Sequence, residues 1–142
     1  MLFSSFQPST IWSGRWVDQE PFLLMQHRKI ESCLDELLNL YGFQSIHWKD
    51  VEYRAYDDLC RRLVWDLSLH QRLEVRWLKM HNALSHGHES DHNQVIQEAI
   101  LDCRKTITNK NRRFAWLREL RSWFVGHENS SDAFDYSLAR SL

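Results

Sequence analysis

Glycine and proline are scarce in this sequence of 142 residues, which has 4 glycines and 2 prolines. Sandwiches and barrels of β-strands need many more turn residues, so the composition argues against an all-β fold. Long apolar runs are also missing. No stretch approaches the roughly 20 apolar residues of a membrane helix, so we expect no membrane association. The first residues lack both a basic region and an unbroken apolar segment, and no secretory signal peptide is expected.

An excess of positive charge is absent as well, because 18 Lys and Arg residues are balanced by 19 Asp and Glu residues. We therefore expect no nucleic-acid partner. Cysteine is limited to Cys33, Cys60 and Cys103, with no CxxC pair. This argues against thioredoxin-like redox chemistry and against a cysteine zinc site. We expect three buried thiols in a cytoplasmic protein.

What the sequence does contain is helical periodicity. With 43% hydrophobic and 26% charged residues, residues 1–142 are predicted to form a single folded domain. Apolar residues recur at spacings of three and four along four segments, which predicts an all-α fold, an antiparallel up-down four-helix bundle over residues 18–142. Residues 1–17, with Pro8 and Gly14, predict an irregular N-terminal arm, and residues 133–142 a short C-terminal helix.

Each predicted helix has one apolar stripe that we expect to face the core. The four stripes are Leu23, His27, Ile30, Leu34, Leu37 and Tyr41; Tyr56, Leu59, Leu63, Leu67, His70, Glu74 and Trp77; His88, His92, Val95, Ala99 and Cys103; and Arg113, Leu117, Leu120, Phe124 and His127. Asp18 and Pro21 are expected at the start of the first helix, and Gly42 at its end.

Other large side chains on these helices are assigned by type. The tryptophans expected to fill the core are Trp65, Trp77, Trp116 and Trp123, one or two of which could line a ligand pocket. The pairs Arg61-Arg62 and Arg112-Arg113 are expected on solvated faces.

Histidines and acids on the stripes carry the chemical information. His70 and Glu74 are four residues apart and so share one helical face, as do His88 and His92. A buried Glu74 carboxylate needs a partner of opposite charge, which could be a metal ion or an arginine. His127 and Asp132 are five residues apart, so both can face one site only if the helix loosens or ends near them.

Each of these patterns is weak by itself, because a single buried histidine is more often hydrogen-bonded in a core than bound to metal. Their coincidence on every helix predicts a common site, although a metal-free bundle stays open as the alternative. His47, His81 and His86 lie off the stripes and are expected to be exposed, with His86 a possible substitute ligand.

The order His27, His70-Gln-Arg-Leu-Glu74, His88-Glu-Ser-Asp-His92 and His127-Glu-Asn-Ser-Ser-Asp132 resembles the hemerythrins, particularly the bacterial single-domain type. The resemblance covers about residues 16–136 and includes all seven positions of the pattern H…HxxxE…HxxxH…HxxxxD. Leu24, Val75 and Glu128 depart from the residue types common in that family. None of these departures removes a ligand.

The resemblance implies a non-haem di-iron centre. His88, His92 and His127 would hold one iron, and His27 and His70 the other. Glu74 and Asp132 would bridge both irons together with an oxo or hydroxo group. The implied function is reversible dioxygen binding for oxygen storage, delivery or sensing, and not catalysis.

Two other functions stay open. A di-iron oxidase or peroxidase would normally have more carboxylates around its irons, with ExxH motifs that this sequence lacks at the expected places. An oxygen or redox signalling module would need a separate output chain, and the sequence does not identify such a protein partner.

Overall fold

The computed structural model describes residues 20–42, 48–82 and 86–128, except for the side chains of residues 86–91 and 127–128. Within these residues the chain forms four helices and no strand, which confirms the prediction of an all-α fold. The helices are α1 (Glu20–Tyr41), α2 (Asp50–Met80), α3 (His86–Lys105) and α4 (Lys110–Glu128). The predicted N-terminal arm, the C-terminal helix and the Asp18 cap lie outside the described residues.

Local chemistry explains where the helices begin and end. Gly42 follows the last residue of α1 as predicted, and a Cβ there would lie 2.9 Å from the carbonyl oxygen of Leu38. Glu52 Oε1 accepts a hydrogen bond of 3.0 Å from the backbone N–H of Lys49 at the start of α2. Asn109 Oδ1 likewise accepts 3.0 Å from the N–H of Arg112, which caps α4.

The larger of two buried hydrophobic clusters is shared by the four helices, and the smaller one, around Leu23, Trp77 and Leu78, joins α1 to α2. Helix α1 contacts α2 and α4, and α3 contacts the same two helices. All six residues of the predicted stripe on α1 are buried, as expected. On α2 the stripe is wrong at Leu59, which is exposed. The adjacent Cys60 is buried instead, because it meets Tyr41 of α1, with 3.8 Å between its Sγ and the phenol oxygen.

The side chain of Arg113 is 0% exposed, so its place on the core-facing stripe of α4 is confirmed and the prediction that the Arg112-Arg113 pair faces solvent is wrong for Arg113. It donates hydrogen bonds to Thr106 Oγ1 at 2.8 Å, to Asp57 Oδ1 at 3.2 Å and to the carbonyl oxygen of Cys103. Asp57 is buried too and also binds Arg61 Nε at 3.0 Å. All three guanidinium nitrogens are therefore hydrogen-bonded within the protein, and the side chain joins α2, the end of α3 and α4.

Two other burial predictions need correction. Trp65 is 57% exposed, whereas Trp77 and Trp116 are buried as expected and Trp123 is half-buried. Cys33 is half-buried, while Cys60 and Cys103 are buried, and all three thiols are free. Among the described helices, none combines the length and apolar character needed to cross a membrane.

Candidate metal centre

Four of the seven predicted ligands have described side chains, and all four are buried. They come from three helices: His27 from α1, His70 and Glu74 from α2, and His92 from α3. The spacing of four residues on α2 directs His70 and Glu74 to the same face, as the sequence predicted. Glu74 is the most deeply buried of the four, at 1% exposure.

The Glu74 carboxylate lies between imidazoles of two helices. Its Oε2 is 3.4 Å from Nε2 of His70, and its Oε1 is 4.0 Å from Nδ1 of His92. Each carboxylate oxygen therefore lies nearest to a different histidine. Two ligand atoms at about 2.1 Å from one metal ion lie roughly 3.0–3.4 Å apart, so the His70–Glu74 pair has a separation that suits a shared ion.

Gln26 positions the His70 ring. Its Oε1 lies 3.0 Å from His70 Nδ1, and because an amide oxygen only accepts, Nδ1 is the donor. A neutral His70 then presents the lone pair of Nε2 to the Glu74 carboxylate. Nε2 makes no hydrogen bond within the described residues. Two electron-pair donors thus face each other across a gap that a proton or a metal cation would fill.

Gln26 was not among the residues predicted from the sequence, although its position in α1 carries a signal. Gln26 follows Leu23 by three residues and precedes Ile30 by four, so it lies on the apolar face of α1, where an amide is conspicuous. By accepting from Nδ1, the Gln26 amide oxygen fixes the tautomer and orientation of the His70 ring. Accepting groups have the same effect on histidines that bind metal.

His27 is held in a neutral state. Burial is the main cause that lowers its pKa to about 4, and neighbouring His70 lowers it further, against a smaller opposing effect of Glu74. Its ring lies edge-on to His70, with 5.6 Å between the ring centroids. It also stacks on Phe124 of α4, at 3.9 Å and an interplanar angle of 18°. At neutral pH the imidazole is therefore uncharged, as a metal ligand must be.

Aromatic side chains of α4 cover the cluster. Besides the Phe124–His27 stack, Trp123 meets His92 edge-on with 5.1 Å between centroids. Both contacts surround imidazoles with apolar surface, which lowers the local dielectric and limits water access. The expectation that one or two of the tryptophans lie near the site thus applies to Trp123.

For the remaining three predicted ligands, the structure describes the backbone position or nothing. His88 lies one turn before His92 on α3, and His127 lies three residues after Phe124 on α4, but their side chains are outside the described set. Asp132 is wholly outside it. Helix α4 continues through Gly126 to Glu128, so the loosened turn is not found up to that point. Among the side chains that the structure describes, no group of three or more His, Cys, Asp or Glu residues is arranged to hold a metal ion.

The histidines assigned to solvent are only partly covered by the structure. His81 is half-buried rather than exposed, because its Nδ1 lies 2.8 Å from the carbonyl oxygen of Trp77 and its ring packs on that indole. His47 and the side chain of His86 lie outside the described residues.

Comparison with known proteins adds no relative: no family model, no curated protein and no solved structure matches this chain.

Proposed function

We propose that this chain is a hemerythrin-like protein that binds dioxygen reversibly at a non-haem di-iron centre. The observation that carries the proposal is the position of Glu74, whose two carboxylate oxygens lie toward imidazoles of two different helices. A carboxylate that bridges two cations needs this disposition. The order and spacing of all seven ligand-type residues in the sequence also support the proposal.

The fold that we propose is an antiparallel up-down four-helix bundle, and contacts between helix ends support it. Gln26 near the start of α1 meets His70 in the second half of α2, whereas Tyr41 at the end of α1 meets Tyr56 near the start of α2. His27 similarly stacks on Phe124 near the end of α4. Adjacent helices that pair start to end in this way run in opposite directions.

The residues fit the proposed group in number and chemistry. His88, His92 and His127 would hold one iron, His27 and His70 the other, and Glu74 and Asp132 would bridge them with an oxo or hydroxo group. Imidazole suits iron, and bridging carboxylates offset the charge of two buried cations. Two irons held in this way would supply the reversible dioxygen chemistry.

The described side chains would prepare that chemistry in three ways. Gln26 fixes the His70 tautomer so that Nε2 offers its lone pair. Burial keeps His27 neutral, so no proton would have to leave this imidazole before it binds a metal ion. The rings of Phe124 and Trp123 keep water away from the imidazoles, which slows irreversible oxidation of a buried metal pair.

We also propose that the protein is a cytoplasmic carrier, store or sensor and not an enzyme. Three free thiols suit a reducing compartment. Around Glu74 the described ligand-type neighbours are histidines, and this imidazole-rich set differs from the carboxylate-rich set of di-iron oxygenating enzymes. A partner protein would be needed if the role is sensing.

The test is anaerobic loading of the purified protein with Fe(II), followed by metal analysis and repeated oxygenation and evacuation. We expect close to two irons per chain and charge-transfer bands that appear with dioxygen and disappear under vacuum. One zinc per chain, or no bound metal, would contradict the di-iron proposal. Two irons that oxidise irreversibly on first exposure would instead indicate an oxidase or peroxidase.

A further inference from the structure

A cleft between α2 and α3 lies apart from the candidate metal centre. Its volume is about 380 Å³, within the usual range for small-molecule sites. Val64 and Trp65 of α2 and Ile100 of α3 form its apolar walls, and Cys103 lies at its edge toward the core. Burial raises the pKa of the Cys103 thiol to about 11, so this thiol is uncharged at neutral pH.

Trp65 is the unusual residue of this cleft. A large indole that is 57% exposed offers an apolar surface that a monomeric protein normally buries. The guanidinium of Arg72 lies 5.9 Å from the centroid of the Trp65 ring, a cation–π contact that helps to hold the indole in place.

The charged residues of the cleft have one sign. Arg61 from α2 and Arg104 from α3 both line it, and no acidic residue does so among the lining residues that the structure describes. Arg61 binds Asp57 through Nε, and its side chain remains 62% exposed. Arg104 is exposed as well. Two guanidinium groups that line one cleft from different helices can hold one carboxylate by charge-assisted hydrogen bonds.

We propose that this cleft binds a small amphipathic carboxylate, with its head between Arg61 and Arg104 and its apolar body against Trp65. Charge complementarity selects an anion, and the apolar walls select a ligand with a hydrocarbon or aromatic body over a bare anion. The site is independent of the proposed metal centre, because its lining residues include none of the seven proposed iron ligands.

Octanoate is the probe, and the indole N–H resonance of Trp65, assigned by the Trp65→Phe variant, is the readout in a ¹H–¹⁵N titration. We expect saturable shifts of this resonance with octanoate. Octanol, which lacks the charge, and acetate, which lacks the body, should each bind at least about tenfold more weakly. Arg104→Gln should weaken octanoate binding about tenfold, whereas Arg118→Gln, an exposed change on α4, should leave it unchanged.

Several results would overturn the assignment. They are equal affinity for octanol and octanoate, normal octanoate binding by Arg104→Gln, or no perturbation of the Trp65 resonance. If the protein binds anionic phospholipid vesicles in preference to monomeric octanoate, the ligand of the cleft is a membrane surface and not a free carboxylate. Since these variants alter exposed side chains, loss of folding is not expected, and the metal content serves as a separate measure of the intact protein.

Discussion

Glu74 Oε2 lies 3.4 Å from His70 Nε2, one helical turn away on α2, with both side chains almost completely buried. Gln26 binds the other nitrogen of His70, so the two facing atoms are both electron-pair donors unless a proton or metal lies between them. This relationship makes Glu74 the most informative residue to change.

Glu74→Gln keeps the volume of the side chain and one good acceptor oxygen but removes the charge. We expect a folded protein that retains at most one tightly bound iron and shows no oxygenated spectrum. Iron analysis and visible spectroscopy give the readout. The control is Glu98→Gln, an exposed change on α3, which should retain two irons. Two irons and normal oxygenation in Glu74→Gln would show that the bridge comes from another residue. Asp132→Asn should behave like Glu74→Gln.

His92→Ala should lose metal, because it removes one imidazole that lies against Glu74. We expect the iron content to fall below two per chain and the loaded protein to unfold at lower temperature. His88→Ala should do the same. The matched control is His81→Ala, since His81 contacts the Trp77 carbonyl group and not the Glu74 carboxylate. Equal metal loss in His81→Ala and His92→Ala would contradict the ligand assignment.

Gln26→Ala tests the orientation of His70 without touching a proposed ligand. Loss of such an accepting group typically lowers metal affinity about 10–100-fold, and we expect a decrease in that range in a chelator competition. Gln71→Ala is the control, because Gln71 is also buried but donates to Asn93 at 3.1 Å instead of contacting a histidine. An unchanged affinity in Gln26→Ala would mean that His70 does not bind metal through Nε2.

The pH dependence of the metal-free protein should report on His27. Its pKa is lowered to about 4 in the folded chain, against about 6.5 when unfolded, so between these values the unfolded state binds more protons. The contribution of His27 to the free energy of unfolding is therefore at its most favourable above pH 6.5, and it is lost as the pH falls toward 4. Urea midpoints at pH 4–7 should show this loss in the parent protein and less of it in His27→Asn. An equal pH dependence in both would contradict the assignment.

Arg113→Met removes the buried guanidinium from Asp57, which keeps its ion pair with the exposed Arg61. Removal of one member of a buried ion pair typically costs about 3–5 kcal/mol, and we expect a loss of that size in the free energy of unfolding. The double variant Asp57→Leu/Arg113→Met should recover much of it. A smaller loss from Arg113→Met than from the exposed Arg118→Met would contradict the structural role.

The positions of the helices and most of the core follow from the sequence because a stripe of apolar residues at spacings of three and four leaves little freedom. All of α1 and the inward direction of His70 and Glu74 were predicted in this way. The predictions that are wrong fail because they depend on tertiary contacts between residues that are distant in the sequence. Arg113 lies on an apolar stripe, but whether a guanidinium is buried depends on Asp57, Thr106 and the Cys103 carbonyl group meeting it, and none of these is adjacent in the sequence.

The exposed Trp65 and the contact of Gln26 could not be predicted for a related reason. Hydrophobicity indicates that an indole favours burial, but only the packing of α3 against α2 determines whether it reaches the core. Which acceptor orients a buried imidazole likewise depends on the rotation of α1 relative to α2. The convergence of His88, His127 and Asp132 on the same point stays a prediction.

The hydrogen-bonded Arg113 has a consequence for the order of maturation. Asp57 is 13 residues from His70 on α2, about 20 Å along the helix, so the two polar clusters occupy separate levels of the molecule. Around Arg113, the buried charges are paired and hydrogen-bonded by residues of the chain itself and need no metal ion. The helices can therefore assemble around that level without a metal ion, and binding of the proposed iron would follow folding rather than be required for it.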